Sequence, residues 1–163
     1  MRIIGIDPGT TATGFGILED TDGVLAVRRF GAITPPTRLP FPQRLQRIYD
    51  ALCAILGEVR PDCAAVEAVF FARNIQSALR LGHARGVALL ALAESGVPVY
   101  EYSALEVKQA VTGYGQAGKP QVQAMVRVLL KMSETPEPAD AADALAVALC
   151  HHQVSRLQAR LTR

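Results

Sequence analysis

Four acidic side chains stand where core-forming chemistry would not place them. Asp7 ends the apolar run "RIIGID", Glu67 lies inside "CAAVEAVFF", and Asp140 and Asp143 head "DAADALAVAL". Burying an isolated carboxylate is costly, so such a group is paired, hydrogen-bonded or bound to a metal. Each also has a purely structural reading. Asp7 can cap the Pro8-Gly9 turn, and Glu67 can face solvent on an edge strand. Asp140, following Pro138 and Ala139, suits an N-cap, with Asp143 at the third helical position where the helix dipole favours an acid. Taken jointly the structural readings weaken. Neighbouring parallel strands would bring Asp7 and Glu67 together, and a helix needs only to point its first turn at the same spot. No histidine or thiolate accompanies the set, so its hard oxygens favour Mg²⁺ or Mn²⁺ over zinc. Two such ions about 4 Å apart can activate a water and stabilise the leaving oxygen of a phosphodiester. Asp140 and Asp143, three residues apart, would project from one helix face toward that chemistry.

Other segments offer less. "GYGQAGKP" (113–120) matches the glycine spacing of a phosphate-binding P-loop, but Pro120 replaces the required Ser or Thr and a helical pattern precedes it. It reads instead either as a plain glycine loop before a helix opened by Pro120, or as a mobile loop that brings Lys119 to a phosphate backbone. Phe70 and Phe71 follow Glu67, with Arg73 beyond. Alternation sends one ring into the core and the other outward, where an aromatic beside a cation can stack on an unpaired base. His83 and the pair His151-His152 read as helix surface, since no matching ligands surround them.

These residues need elements to hold them. "RIIGID", "TGFGILE" and "GVLAVRRFGAIT" predict three strands in an antiparallel meander, turning at residues 20–23. "FPQRLQRIYDALCAILGEVRP" carries helical spacing at Leu45, Ile48, Leu52, Ile55 and Leu56 and stops at Pro61. "CAAVEAVF" predicts a buried strand. The helix over "NIQSALRLGHARGVALLALAESG" is capped by Asn74 and stopped by Gly96. "VPVYEY" is a last strand, and "SALEVKQAV", "KPQVQAMVRVLLKM" and "DAADALAVALCHHQV" are closing helices. The order βββαβαβααα gives an α/β mixed five-stranded sheet flanked by helices. Residues 1–155 form one domain, with 156–163 as a short basic tail that frays.

Bulk properties narrow the function classes. The 163 residues are 50% hydrophobic and 20% charged, an ordinary globular balance. The start turns polar at Asp7, too soon for a signal peptide, and no apolar run can span a bilayer. Cys53, Cys63 and Cys150 are scattered and odd in number, which suits a reducing cytoplasm. The net charge is only +2, yet residues 68–133 hold seven Lys/Arg against three Asp/Glu, while residues 134–143 hold four acids and no base. Basic surroundings around a compact acidic centre suit an anionic partner such as nucleic acid.

The chain resembles the RuvC family of Holliday-junction resolvases over nearly its whole length. The resemblance rests on "IIGIDPGTTATGFGIL", "VEAVFFARN", "VKQAVTGYGQAGKPQVQAMV" and "DAADALAVAL", in that order. It implies a ribonuclease-H-like fold and a homodimeric, Mg²⁺-dependent endonuclease working alongside the RuvA and RuvB branch-migration proteins. It further implies that Asp7, Glu67, Asp140 and Asp143 are the catalytic, metal-holding carboxylates. Phe70 falls on the family's base-stacking aromatic, and Lys108 and Lys119 on its basic residues near the scissile strand. Gly82 and Gly86, four apart on the long helix, make a smooth stripe that suits either packing on the protein's own sheet or the family's dimer interface. Two rival readings remain: an actin-like ATPase or sugar-kinase relative, suggested by "DPGTTATGFGI", and a non-cleaving junction-binding module or RNA-processing nuclease.

Overall fold

The computed structural model describes residues 1–68 and 74–161. Its elements follow the predicted order: β1 (Arg2–Asp7), β2 (Thr13–Thr21), β3 (Val24–Ile33), α1 (Phe41–Val59), β4 (Cys63–Ala68), α2 (Ile75–Glu94), β5 (Val99–Ser103), α3 (Ala104–Thr112), α4 (Lys119–Leu129) and α5 (Ala139–Leu161). The sheet order is β3-β2-β1-β4-β5. β1 to β3 form the expected antiparallel meander, and Asp22 and Gly23, both at positive φ, make its tight turn. β1, β4 and β5 run parallel.

Strand alternation divides the core in two. Ile4, Ile6, Ala64 and Val66 point to one face, where they pack with Ile48, Leu52, Ile55 and Leu56 of α1 and Ala88, Ala91 and Leu92 of α2. Ile3, Cys63 and Ala65 point to the other, against α3, α4 and α5. Continuing that alternation puts Asp7 and Glu67 on the α5 side, at the carboxyl ends of the adjacent parallel strands β1 and β4. Ligands of open α/β sheets gather at such strand ends.

The helix carrying Asp140 and Asp143 lies against β1 and β2 at backbone distance, because glycines open the way. A Cβ added at Gly5 would lie 2.0 Å from the Ala144 carbonyl oxygen, and one at Gly14 would lie 2.0 Å from that of Asp140. At Gly16 it would meet the Leu145 side chain at 2.7 Å. The helical face that answers them is largely alanine, with Ala141, Ala142, Ala144, Ala146 and Ala148 all buried. Small residues on both partners let the axis of α5 approach the sheet closely.

Helix α5 itself continues through Leu161, taking in residues 156–161. One expectation needs correction. Asp140 is not the N-cap: the Pro138 carbonyl accepts from the Ala141 and Ala142 N–H groups, so the helix has already begun.

Candidate active site

Asp7 stands directly opposite Gly14 in the β1–β2 ladder, and Gly14 is the residue against which the Asp140 backbone rests. One step of the β1–β4 register beyond Ile6↔Val66 sets Glu67 beside Asp7 on the same face. Asp143 lies one turn after Asp140, and its carboxylate accepts a charge-assisted hydrogen bond from the Lys119 ammonium at 2.5 Å. Lys119 opens α4 after the glycine loop, with Pro120 in the first turn as expected. Glu67, Lys108, Lys119 and Asp143 line one cleft of about 230 Å³, floored by Val107, Val122 and Ala146. Three separate elements thus deliver the four predicted carboxylates to one place.

The electrostatics record that crowding. Burial, then the charges of Glu67, Asp143 and Asp140, push Asp7 up to about 8, with Lys119 opposing. Burial and Asp143 likewise raise Glu67, while Lys119 and Lys108 hold it down. The hydrogen bond to Asp143 raises Lys119 in turn. Among the described residues, no three His, Cys, Asp or Glu side chains close to metal-ligand spacing as they stand. The donor chemistry nonetheless fits a hard divalent cation. Its acids are all carboxylates, no histidine or thiol among the described residues lines the cleft, and the burial and carboxylate crowding that raise Asp7 are what a bound cation would offset. Lys119 supplies part of that cancellation now.

The remaining expected positions sort as follows. Lys108, on α3, is half-buried on the cleft wall. Phe70, Phe71 and Arg73 lie outside the described residues. Among the described residues, a Cβ added at Gly82 or Gly86 would meet nothing within 4 Å, so the stripe does not pack on the protein's own sheet. With Ile75 at 80% exposure, Leu79 and Leu90, it forms one exposed apolar face of α2. His151 and His152 are buried rather than surface residues. The sequence reading missed the supporting glycines Gly5, Gly14 and Gly16. Their signal was glycine inside strands that otherwise want bulk, once in "RIIGID" and twice as G-x-G in "TGFGILE".

Comparison with known proteins agrees with this geometry. Residues 3–151 match the family described as "Crossover junction endodeoxyribonuclease RuvC". A protein of that name from Chloroflexus aurantiacus is 55% identical over 151 residues, 93% of this chain and 92% of the relative. One from Syntrophotalea carbinolica is 52% identical over 162 residues, 99% of this chain and all of the relative's length, 100%. The Thermus thermophilus RuvC structure superposes with a TM-score of 0.88 at 38% identity, covering 97% of each chain. The complex of that RuvC with a Holliday junction substrate gives 0.91, covering 97% of this chain and 96% of the other. These likenesses do not favour the actin-like, non-cleaving or RNA-processing readings. With its sheet order, its carboxylate cleft and its sequence all in agreement, the chain belongs to the RuvC family of crossover junction endodeoxyribonucleases, the Holliday junction resolvases.

Proposed function

We propose that this protein resolves four-way DNA junctions by paired symmetric nicks, in homologous recombination and DNA repair, with Mg²⁺ held by Asp7, Glu67, Asp140 and Asp143. The observation that carries the proposal is the convergence of four carboxylates from β1, β4 and α5 beside a cleft bearing Lys108 and Lys119. Mn²⁺ suits the same oxygen donors. When bound, the divalent ions supply the Lewis acidity that activates a water and stabilises the leaving oxygen. Asp7 and Glu67 hold their charge from the sheet, and Asp140 and Asp143 hold theirs from the helix. Lys119 neutralises Asp143 in the free protein. With a metal held by the carboxylates, Lys119 and Lys108 would be free to bind phosphate oxygens of the scissile strand, and Phe70 and Arg73 are proposed as further DNA contacts. Attack at phosphorus breaks the bond to O3′ and leaves 5′-phosphate and 3′-hydroxyl ends.

A four-way junction needs two matched cuts, and a two-fold dimer presents two matched sites. The exposed face of Ile75, Leu79, Gly82, Gly86 and Leu90 supports homodimerisation through α2. RuvA and RuvB are proposed as working partners on the family resemblance. The proposed compartment is the cytoplasm; no described helix is long and apolar enough to cross a membrane.

The test is nicking of a synthetic four-way DNA in Mg²⁺, compared with linear duplex and RNA. Asp140→Asn, Asp143→Asn, Asp7→Asn and Glu67→Gln are expected to fold, dimerise and bind junctions while cutting slows by orders of magnitude. Asn caps helices about as well as Asp, so a purely structural aspartate would tolerate the change. Near-wild-type cutting by a folded Asp143→Asn would overturn the four-carboxylate site.

A further inference from the structure

The pair His151–His152 has no part in the chemistry above, yet both side chains are buried, at 4% and 6% exposure, and both reach across the sheet. His151 turns toward β4 and β5. Its Nδ1 lies 2.7 Å from the Tyr102 hydroxyl, its Nε2 lies 3.3 Å from Cys63 Sγ, and the Tyr100 ring stacks on it at 4.3 Å. With Tyr102 donating to Nδ1, the Nε2–H is directed at the sulfur, so both ring nitrogens are satisfied. His152 turns the other way, and its Nε2 lies 2.6 Å from Asp20 Oδ2 at the end of β2. The second oxygen of Asp20 accepts from the Gly23 N–H at 2.8 Å, tying the contact to the β2–β3 turn.

This matters because of what the first half of α5 lacks. Its buried residues from Ala141 to Leu149 are all Ala, Leu or Val, and although close contact at Gly5, Gly14 and Gly16 sets how near the helix approaches, apolar contact is non-directional and leaves its direction weakly specified. Hydrogen bonds specify direction. We infer that His151 and His152 form a clamp that fixes the rotation and register of α5, grasping β4 and β5 on one side and the β2–β3 hairpin on the other. They are thereby positioning residues for Asp140 and Asp143. Asp140 and His151 are eleven residues, about three turns, apart and share one side of a continuous helix. A rotation of about 20° at the clamp would move a carboxylate about 5 Å from the axis by about 2 Å. A misplacement of about 1 Å is enough to cost on the order of 10²-fold in rate. The inference rests on the nuclease reading above, since it concerns where that reading's carboxylates stand.

The test uses the full chain with His151→Phe, which keeps a ring and removes both nitrogens, and Tyr102→Phe, which removes one hydroxyl. The double variant and Asp20→Asn, for the other half of the clamp, complete the set. Three quantities are read: junction Kd in chelator, single-turnover nicking in Mg²⁺ at saturating enzyme, and Tm. A clamp predicts nicking about 10–100-fold slower in His151→Phe, with Kd within about twofold and Tm still above the assay temperature. Tyr102→Phe and Asp20→Asn should each slow nicking by a smaller factor. The double variant should cut no more slowly than His151→Phe alone, because both act through one bond. A merely structural role lowers Tm and leaves the rate per folded molecule unchanged, and that result overturns the clamp. If His151→Phe does not fold, Tyr102→Phe decides, and an unchanged nicking rate there overturns it. A wild-type chain that cuts no junction overturns the nuclease reading, and the clamp with it.

Discussion

Gly14→Ala adds one methyl group to a strand, and the structure makes it one of the most damaging small changes available. The new Cβ would lie 2.0 Å from the Asp140 carbonyl oxygen and 2.4 Å from its carbonyl carbon, where real Cβ contacts stay beyond 3.0 Å. The obstacle is the backbone of the first turn of α5, which cannot swing aside as a side chain can. The start of the helix must therefore retreat from β2 by about 1 Å, and Asp140 goes with it while Asp7, opposite Gly14, stays. Overpacking of this kind costs about 1–3 kcal/mol, which lowers Tm by roughly 2–12 °C in a chain of this length. The loss of activity should be larger than the loss of stability suggests. A displacement near 1 Å in the proposed metal-holding set predicts a single-turnover nicking rate down by on the order of 10²-fold. The assay holds enzyme in excess over a synthetic four-way junction, below the Tm of every variant. Gly57→Ala, with nothing within 4 Å, should cut at the wild-type rate. Gly31→Ala, whose Cβ meets only the Phe15 ring at 3.2 Å, should fall between. A folded Gly14→Ala that nicks as fast as wild type would refute the claim that backbone approach sets the position of Asp140.

Asp7 is raised in the folded, metal-free chain from 3.8 to about 8, so its contribution to stability is fully present below pH 4 and is lost as pH rises toward 8. In chelator, the Tm of wild type relative to Asp7→Asn should fall between pH 5 and 9, and Mg²⁺ should raise wild-type Tm more at pH 8.5 than at pH 5.5; thermal melts showing no such difference would refute the burial and crowding assigned to Asp7. Lys119→Ala should flatten the log–log salt dependence of junction affinity by roughly one unit, and an unchanged slope would take Lys119 out of the interface. Gly86→Leu should break or weaken the dimer at unchanged Tm, because the position is open in the protomer; an intact dimer in sedimentation would move the interface elsewhere.

The fold was legible where local pattern and global packing agree. β-branched runs bounded by Pro and Gly became strands, and the helical spacing of Ile48, Leu52, Ile55 and Leu56 became the buried face of α1. Asp7 and Glu67 were legible for a related reason, since an acid inside an apolar run is a local contradiction that only tertiary structure resolves. Asp140 was ambiguous because Asp suits both a cap and a metal ligand. The Pro138 carbonyl, already accepting at the start of α5, removes the N-cap role alone. The histidine pair was misread because its partners are remote in sequence: Cys63 is 88 residues from His151, and Asp20 is 132 from His152. Nothing in a helical window announces such partners. Gly14 was missed because a strand glycine looks like a weak point until the helix that needs the space is in view.

The position of α5 follows from the same close approach. Helix α5 packs chiefly on β1 and β2 and less on β4. Where the helix touches the sheet at backbone distance, beside Gly14, its first turn is set next to the strand that faces Asp7. Glu67, on the neighbouring strand β4, acts on Asp7 more strongly than either helix aspartate. The glycines and the alanines are then one solution to a single geometric problem. Rigid backbone contacts, rather than long flexible side chains, bring like charges together. The repulsion that results is held in place by packing until a cation arrives to relieve it.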